Sequence, residues 1–168
     1  MSDKPQVSDL LTALYHRDEA AALGRTERVA QLLDAEPGTS GELAPDGFTA
    51  LHLACFFGRA DVATMLIERG AAVDAVAANS SRVQPLHSAA AARNEPIVAS
   101  LLAAGADPDA TQAGGWTALH AAAHHGDAAI AARLLGAGAA RAPRSEDGKT
   151  PADLAREAGH AALVSLLA

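Results

Sequence analysis

Apolar residues recur along the chain at the spacing of short helices. Val62, Met65 and Leu66 lie at positions i, i+3 and i+4, which places them on one face of a helix. Glycine bounds this segment on each side, at Gly58 and Gly70. Because glycine readily takes the left-handed conformation that ends a helix, the pattern predicts short helices that each bury one face and are separated by turns.

The same arrangement occurs several times, which indicates that the chain is built from repeats. A Thr-Ala-Leu-His motif at 49–52 recurs unchanged at 117–120 and with substitutions at 84–87 and 150–153; the four copies begin at intervals of 35, 33 and 33 residues. A pair of aliphatic residues follows each motif, at 66–67, 101–102, 134–135 and 166–167. A Gly-Ala step comes next at 70–71, 105–106 and 138–139. Three markers in phase predict one helix-turn-helix unit that is repeated along the chain.

The motif resembles the Thr-Pro-Leu-His signature of the ankyrin repeat, which has a period of about 33 residues. The resemblance covers residues 15–168 and implies an all-α fold, an ankyrin-repeat solenoid of stacked helix-turn-helix units. Each L-shaped repeat would carry a β-hairpin-like loop at a right angle to its helices. We expect units at about 15–43, 44–77, 78–110, 111–142 and 143–168, after an N-terminal extension over 1–14 that adds a helical turn or two.

Units three and five depart from this pattern. Unit three has Arg93 where other units have a glycine between their helices, and its loop before the motif is two residues longer. Pro96 falls at the start of its second helix, where a first-turn proline is tolerated. Unit five has Ala152 and Asp153 in place of the Leu-His pair, as a terminal cap would. The first unit has lost the motif and is rich in charge, so we expect it to form the N-terminal cap.

Composition and charge narrow the class of partner. The chain has 168 residues, and its 44 alanines favour closely packed helices over a β-sandwich. The net charge of −7 repels phosphate backbones and anionic lipid, so we expect neither a nucleic acid nor a membrane as partner. The expected partner is a protein of unknown identity, because a fold that presents a surface does not specify what binds it.

Cysteine usage and the N-terminal sequence bear on location. The single cysteine, Cys55, cannot form an internal disulfide, and the first residues lack the charged and apolar regions of a signal peptide. We therefore expect a reducing, cytoplasmic location and a buried, inert thiol at Cys55, which falls at an alanine position of the repeat. The excess of alanine, and of arginine over lysine, favours a GC-rich genome and hence a bacterial source.

The resemblance also implies a binding surface. In ankyrin repeats, the residue before the motif and two residues late in the first helix face a concave groove that receives partners. In this chain the first class is Phe48, Val83, Trp116 and Lys149, and the second includes Phe56, Phe57, His124, His125 and Glu157. Because aromatic side chains dominate binding energy at interfaces, we expect an aromatic hot spot. The alternative is that these aromatic residues only pack against the hairpin base and the neighbouring repeat.

Histidines raise the question of a metal or catalytic site. The resemblance implies that His52, His87 and His120 are structural hydrogen-bonding groups. The only candidate metal ligands for a metal-dependent enzyme are His120, His124 and His125. This alternative ranks last, because no glutamate lies between His120 and His124 as in a helical zinc motif. We expect a non-enzymatic interaction module without cofactor or metal. Weak self-association of the same apolar patch, giving a structural oligomer, is the other alternative.

Overall fold

A computed structural model describes residues 22–35 and 40–168, so the extension predicted over 1–14 lies outside the described residues. Nine α-helices are present in these ranges: α1 (Ala22–Ala35), α2 (Ala50–Phe56), α3 (Ala60–Glu68), α4 (Pro85–Ala91), α5 (Glu95–Ala103), α6 (Ala118–His125), α7 (Ala128–Gly136), α8 (Pro151–Glu157) and α9 (Ala161–Leu167). A 3₁₀ turn spans Ala113–Gly115, and the described residues contain no strand. The predicted all-α fold is confirmed.

The helices form two stacked rows. The first helices of successive units contact one another in the order α2, α4, α6, α8, and the second helices contact in the order α1, α3, α5, α7. Each first helix also contacts the second helix of its own unit. The core therefore lies between the two rows and runs the length of the described stack, so that each repeat is stabilised by its neighbours.

Alanine at one position of the inner row lets neighbouring helices approach closely. These alanines have no accessible surface: Ala54, Ala89, Ala122 and Ala155. The second helices contribute one leucine each, and these side chains are at most 3% exposed: Leu66, Leu101, Leu134 and Leu167. Cys55 is also fully buried, as predicted from its position.

The helix ends follow from local sequence. Thr49 and Thr150 take extended backbone conformations and accept the N–H of the third helical residue, which begins α2 and α8. Gly126 ends α6 with a left-handed φ of 72°. Pro96 lies in the first turn of α5, as predicted, where its missing N–H costs no helical hydrogen bond.

The loops between units form hairpin-like tips that are joined side by side. Within each tip one backbone bond closes the turn, as between Ala77 N–H and the Val83 carbonyl at 2.8 Å. Between tips, Ala78 N–H donates to the Gly47 carbonyl at 2.9 Å. Gly47 has a φ of 84°, and a Cβ there would lie 2.7 Å from the Ala78 oxygen, so this contact requires glycine.

Candidate binding groove

The motif histidines connect successive units. His52 Nδ1 accepts the N–H of Thr49 at 3.2 Å, while its Nε2 lies 3.0 Å from the carbonyl oxygen of Val83 in the next unit. A backbone N–H can only donate and a carbonyl can only accept, so the ring is neutral with its proton on Nε2. His87 and His120 repeat this geometry. The structural role implied by the resemblance is therefore what the geometry supports.

Burial reinforces the neutral state of these rings. Desolvation is the largest cause that lowers the pKa of His52, His87 and His120, and the hydrogen bonds from Nε2 to backbone carbonyls oppose it. In unit five, Asp153 takes the position of the histidine and accepts the N–H of Thr150 at 3.0 Å. Its other carboxylate oxygen accepts from Arg156 at 2.8 Å. These hydrogen bonds lower the pKa of Asp153 to about 2, with the bond from the Thr150 side chain as the largest cause.

One apolar cavity opens on the face where the binding residues are predicted. Its volume is about 390 Å³, and it lies between units two and three. Four of the predicted binding residues line it: Phe48, Phe56, Phe57 and Val83. Leu53, Ser88 and Ala91 also line the cavity, together with the tip residues Asp46, Ser81 and Gln112 and the motif residues His52 and His87. The structure therefore brings together four of the nine predicted residues.

The aromatic side chains differ in exposure. Phe56 is 60% exposed, and its ring contacts that of Phe57 edge to face, with centroids 5.3 Å apart. Phe48, Phe57 and Trp116 are half-buried and pack partly against the core. Part of each of these three side chains thus packs against the protein, as the packing alternative expects. Phe56, in contrast, has most of its surface exposed to solvent.

The other predicted residues lie further along the stack, outside this cavity. The Trp116 ring lies 5.3 Å from that of His120, and its indole covers the hairpin tip at Gly114, where a Cβ would be 3.0 Å from Trp116 Cδ1. His124 and His125 are exposed at the end of α6, with ring centroids 5.3 Å apart. Lys149 Nζ donates to Glu157 Oε2 at 2.8 Å, so these two residues form an ion pair.

The hydrogen bonds of His120 prevent it from serving as a metal ligand. Its Nδ1 accepts from Thr117 N–H at 3.1 Å, and its Nε2 lies 3.1 Å from the Lys149 carbonyl oxygen, so neither nitrogen is available as a ligand. Across the described residues, no group of three or more histidine, cysteine, aspartate or glutamate side chains is placed to hold a metal ion. Nor does any helix in this part of the chain have the length and apolar content needed to cross a bilayer.

Leu53 and Ser88 are among the lining residues that the sequence analysis missed. Both stand four residues after the first residue of the motif, at equivalent positions of α2 and α4. A periodicity argument could have found them. Residues three or four apart share a helix face, so Leu53, which is 4% exposed, lies on the same face of α2 as Phe56.

These features define a class of protein, a solenoid of stacked helical repeats with an apolar cavity between units two and three. A family model described as "Ankyrin repeats (3 copies)" matches residues 17–112 and 86–168. The chain belongs to the ankyrin repeat family, whose members are generally protein–protein interaction modules and typically are not enzymes.

A human relative matches part of the chain. BCL-6 corepressor-like protein 1 from Homo sapiens is 35% identical over 99 residues, which are 59% of this chain. The match spans only 5% of that protein's length. Because this relative is human, the comparison gives no support to the bacterial source expected from composition.

Proposed function

We propose that this chain is a non-enzymatic module that binds a protein partner through its concave groove and hairpin tips. The observation that carries the proposal is the cavity of about 390 Å³, which Phe48, Phe56, Phe57 and Val83 line together. Phe56 leaves 60% of its surface exposed there, although it is a large apolar side chain. A partner that covered this ring would remove that apolar surface from water and stabilise the complex.

Backbone rigidity supports the same function. The tips are joined by backbone hydrogen bonds and the inner helices by buried alanines, so the groove side chains stand on a fixed frame. A preorganised surface loses less conformational entropy when it binds. We further propose that the module comprises the five units over 15–168 and that it acts in the reducing cytoplasm, where the buried Cys55 thiol stays free.

The experiment compares the amount of partner protein that the native protein retains with the amount that the Phe56→Ala variant retains. The matched control is Leu43→Ala, because Leu43 is a large apolar residue that is 49% exposed and does not line the cavity. All three proteins would be checked by circular dichroism. We expect a partner that is retained by the native and Leu43→Ala proteins and released by Phe56→Ala.

Two results would contradict the proposal. Equal capture by Phe56→Ala and the native protein would mean that the cavity is not the binding site. Sedimentation equilibrium that showed a native dimer, lost in Phe56→Ala, would instead favour the self-associating oligomer.

A further inference from the structure

Ser88 brings a hydroxyl group to the apolar cavity at a position where units two, four and five have apolar residues. It lies in α4, four residues after the first residue of its motif, and it lines the cavity. The equivalent residues of the other three units are Leu53, Ala121 and Leu154. Because Ser88 is only 7% exposed, a partner group that contacts its hydroxyl must enter the cavity.

The Ser88 hydroxyl has no hydrogen-bond partner among the described residues. A serine within a helix commonly donates to the carbonyl four residues earlier, as Ser100 Oγ does to the Pro96 carbonyl at 3.0 Å. The equivalent acceptor for Ser88 is the carbonyl of Gln84, which receives the backbone N–H groups of His87 and Ser88 instead. A buried polar group without a partner costs free energy, so folding alone gives no reason for a hydroxyl here.

Most other hydrogen-bonding groups of the lining are engaged within the protein. His52 and His87 use both ring nitrogens in their contacts with the backbone. Ser81 donates its hydroxyl to an asparagine of the same tip, and Asp46 accepts a backbone N–H of its own turn at 3.2 Å. The side-chain amide of Gln112 makes no hydrogen bond with the described residues, but this residue is only half-buried. Ser88 is therefore the buried lining residue whose hydrogen-bonding group is unused.

The remaining surface of the cavity is apolar, which defines the kind of group that fits it. Three aromatic and three aliphatic residues supply this surface: Phe48, Leu53, Phe56, Phe57, Val83 and Ala91. Asp46 is the charged residue of the lining, so a negative group in the cavity would be repelled. The fitting group is thus an apolar body that carries one uncharged hydrogen-bonding group. Tyrosine has this combination, because its phenolic hydroxyl both donates and accepts.

We propose that Ser88 determines the specificity of the cavity, and that the partner inserts a tyrosine side chain whose phenolic hydroxyl hydrogen-bonds to Ser88 Oγ. This inference rests on the proposed function and adds to it the residue that the partner contributes. A phenylalanine or leucine in the same place would displace water from Ser88 Oγ without replacing its hydrogen bond. A site that leaves a buried polar group unpaired in this way discriminates against the analogue without the hydroxyl.

The test begins with selection of random twelve-residue peptides, displayed on phage, against the native protein. We expect the peptides that are retained by the native protein and released by Phe56→Ala to share a tyrosine. One such synthetic peptide and its tyrosine-to-phenylalanine counterpart are then titrated against the native protein and against Ser88→Ala. On the native protein, the phenylalanine peptide should bind about tenfold more weakly, as expected for a lost buried hydrogen bond. On Ser88→Ala, the tyrosine peptide should keep no advantage, and this cycle isolates the contact between the two hydroxyls.

Two controls separate recognition from folding. Ser88→Ala should leave the midpoint in urea unchanged or higher, because it removes a hydroxyl without a partner and unit four has alanine at this position. Ser100→Ala changes a helix serine that does not line the cavity, so it should leave the affinities of both peptides unchanged. A marked destabilisation by Ser88→Ala would assign the hydroxyl to folding and overturn the inference.

The outcomes distinguish this inference from the function on which it rests. Selected peptides that are released by Phe56→Ala but use phenylalanine, leucine or tryptophan in place of tyrosine would overturn the role of Ser88 and leave the groove as a binding site. An undiminished preference of Ser88→Ala for tyrosine, or tighter binding of the phosphorylated tyrosine, would overturn it equally. Failure to select any peptide that is sensitive to Phe56→Ala, or a native dimer that buries Phe56, would overturn both.

Discussion

The two ends of the groove use the same repeat positions for opposite chemistry. In unit two, the residue before the motif and the residue seven after its first position are Phe48 and Phe56, which line an apolar cavity. In unit five, the equivalent residues Lys149 and Glu157 form an ion pair of 2.8 Å. The backbone frame accepts either pair because none of these four side chains is fully buried. The fold therefore constrains the inner alanines and leaves these positions free to differ between units.

The largest expected effect separates a core residue from a groove residue. Leu101 is fully buried in α5, so Leu101→Ala should lower the free energy of unfolding by about 2–5 kcal/mol through lost burial and a cavity. Phe56→Ala should cost about 1 kcal/mol or less, because that ring is mostly exposed already. Urea denaturation of both variants measures the difference, and equal losses would mean that Phe56 belongs to the core.

A pH titration should distinguish the histidine units from unit five. Because the pKa values of His52, His87 and His120 are lowered in the fold, the unfolded chain binds protons more readily than the folded one. The three neutral histidines make their full contribution to the free energy of unfolding above about pH 6.5, and this contribution declines as the pH falls below that value. We expect this loss to be smaller than that of Leu101→Ala and to appear as a falling midpoint in urea between pH 7.5 and 5.5.

Asp153 should behave differently in the same titration. Its pKa of about 2 keeps it ionised through that pH range, so its contribution to the free energy of unfolding persists there and declines only as the pH falls from about 4 to 2. In a triple variant with glutamine at His52, His87 and His120, the urea midpoint should no longer depend on pH above pH 5.5. An unchanged pH dependence in that variant would assign it to other groups.

Substitutions at the left-handed turn should have opposite signs in neighbouring units. Arg93→Gly relieves a positive φ and should raise the free energy of unfolding by about 0.5–1 kcal/mol. Gly126→Ala should lower it by about 1 kcal/mol or more, since a Cβ there would lie 2.6 Å from the His160 ring. Thermal unfolding of the two variants tests this, and a loss of stability in Arg93→Gly would show that the arginine stabilises the native turn.

The smallest effect is expected at the ion pair of unit five. Both Lys149 and Glu157 keep exposed side-chain surface, and salt screens such pairs. Lys149→Ala should leave the urea midpoint unchanged within error at physiological salt. A clear destabilisation would indicate that this end of the groove is built for stability and not for recognition.

The sequence predicts the repeat, the helix pairs and the core because each depends on a local periodic signal. Thr49 begins a helix and Leu101 recurs at a fixed distance from its motif, so both can be read from spacing alone. Spacing alone does not predict which of Phe56 and Phe57 is exposed. Consecutive residues at a helix end point in different directions, and their exposure depends on how units two and three pack. The environment of Arg93 likewise depends on contacts with units four and five.

The central claim is that Phe56 serves binding while the inner row serves folding. The most direct measurement determines, on the same Phe56→Ala preparation, the affinity for the partner that the native protein captures and the free energy of unfolding. We predict an affinity at least tenfold weaker, as expected for an aromatic hot-spot residue, with stability within about 1 kcal/mol of the native protein. Unchanged affinity, or a loss of affinity that only follows a loss of stability, would contradict the account.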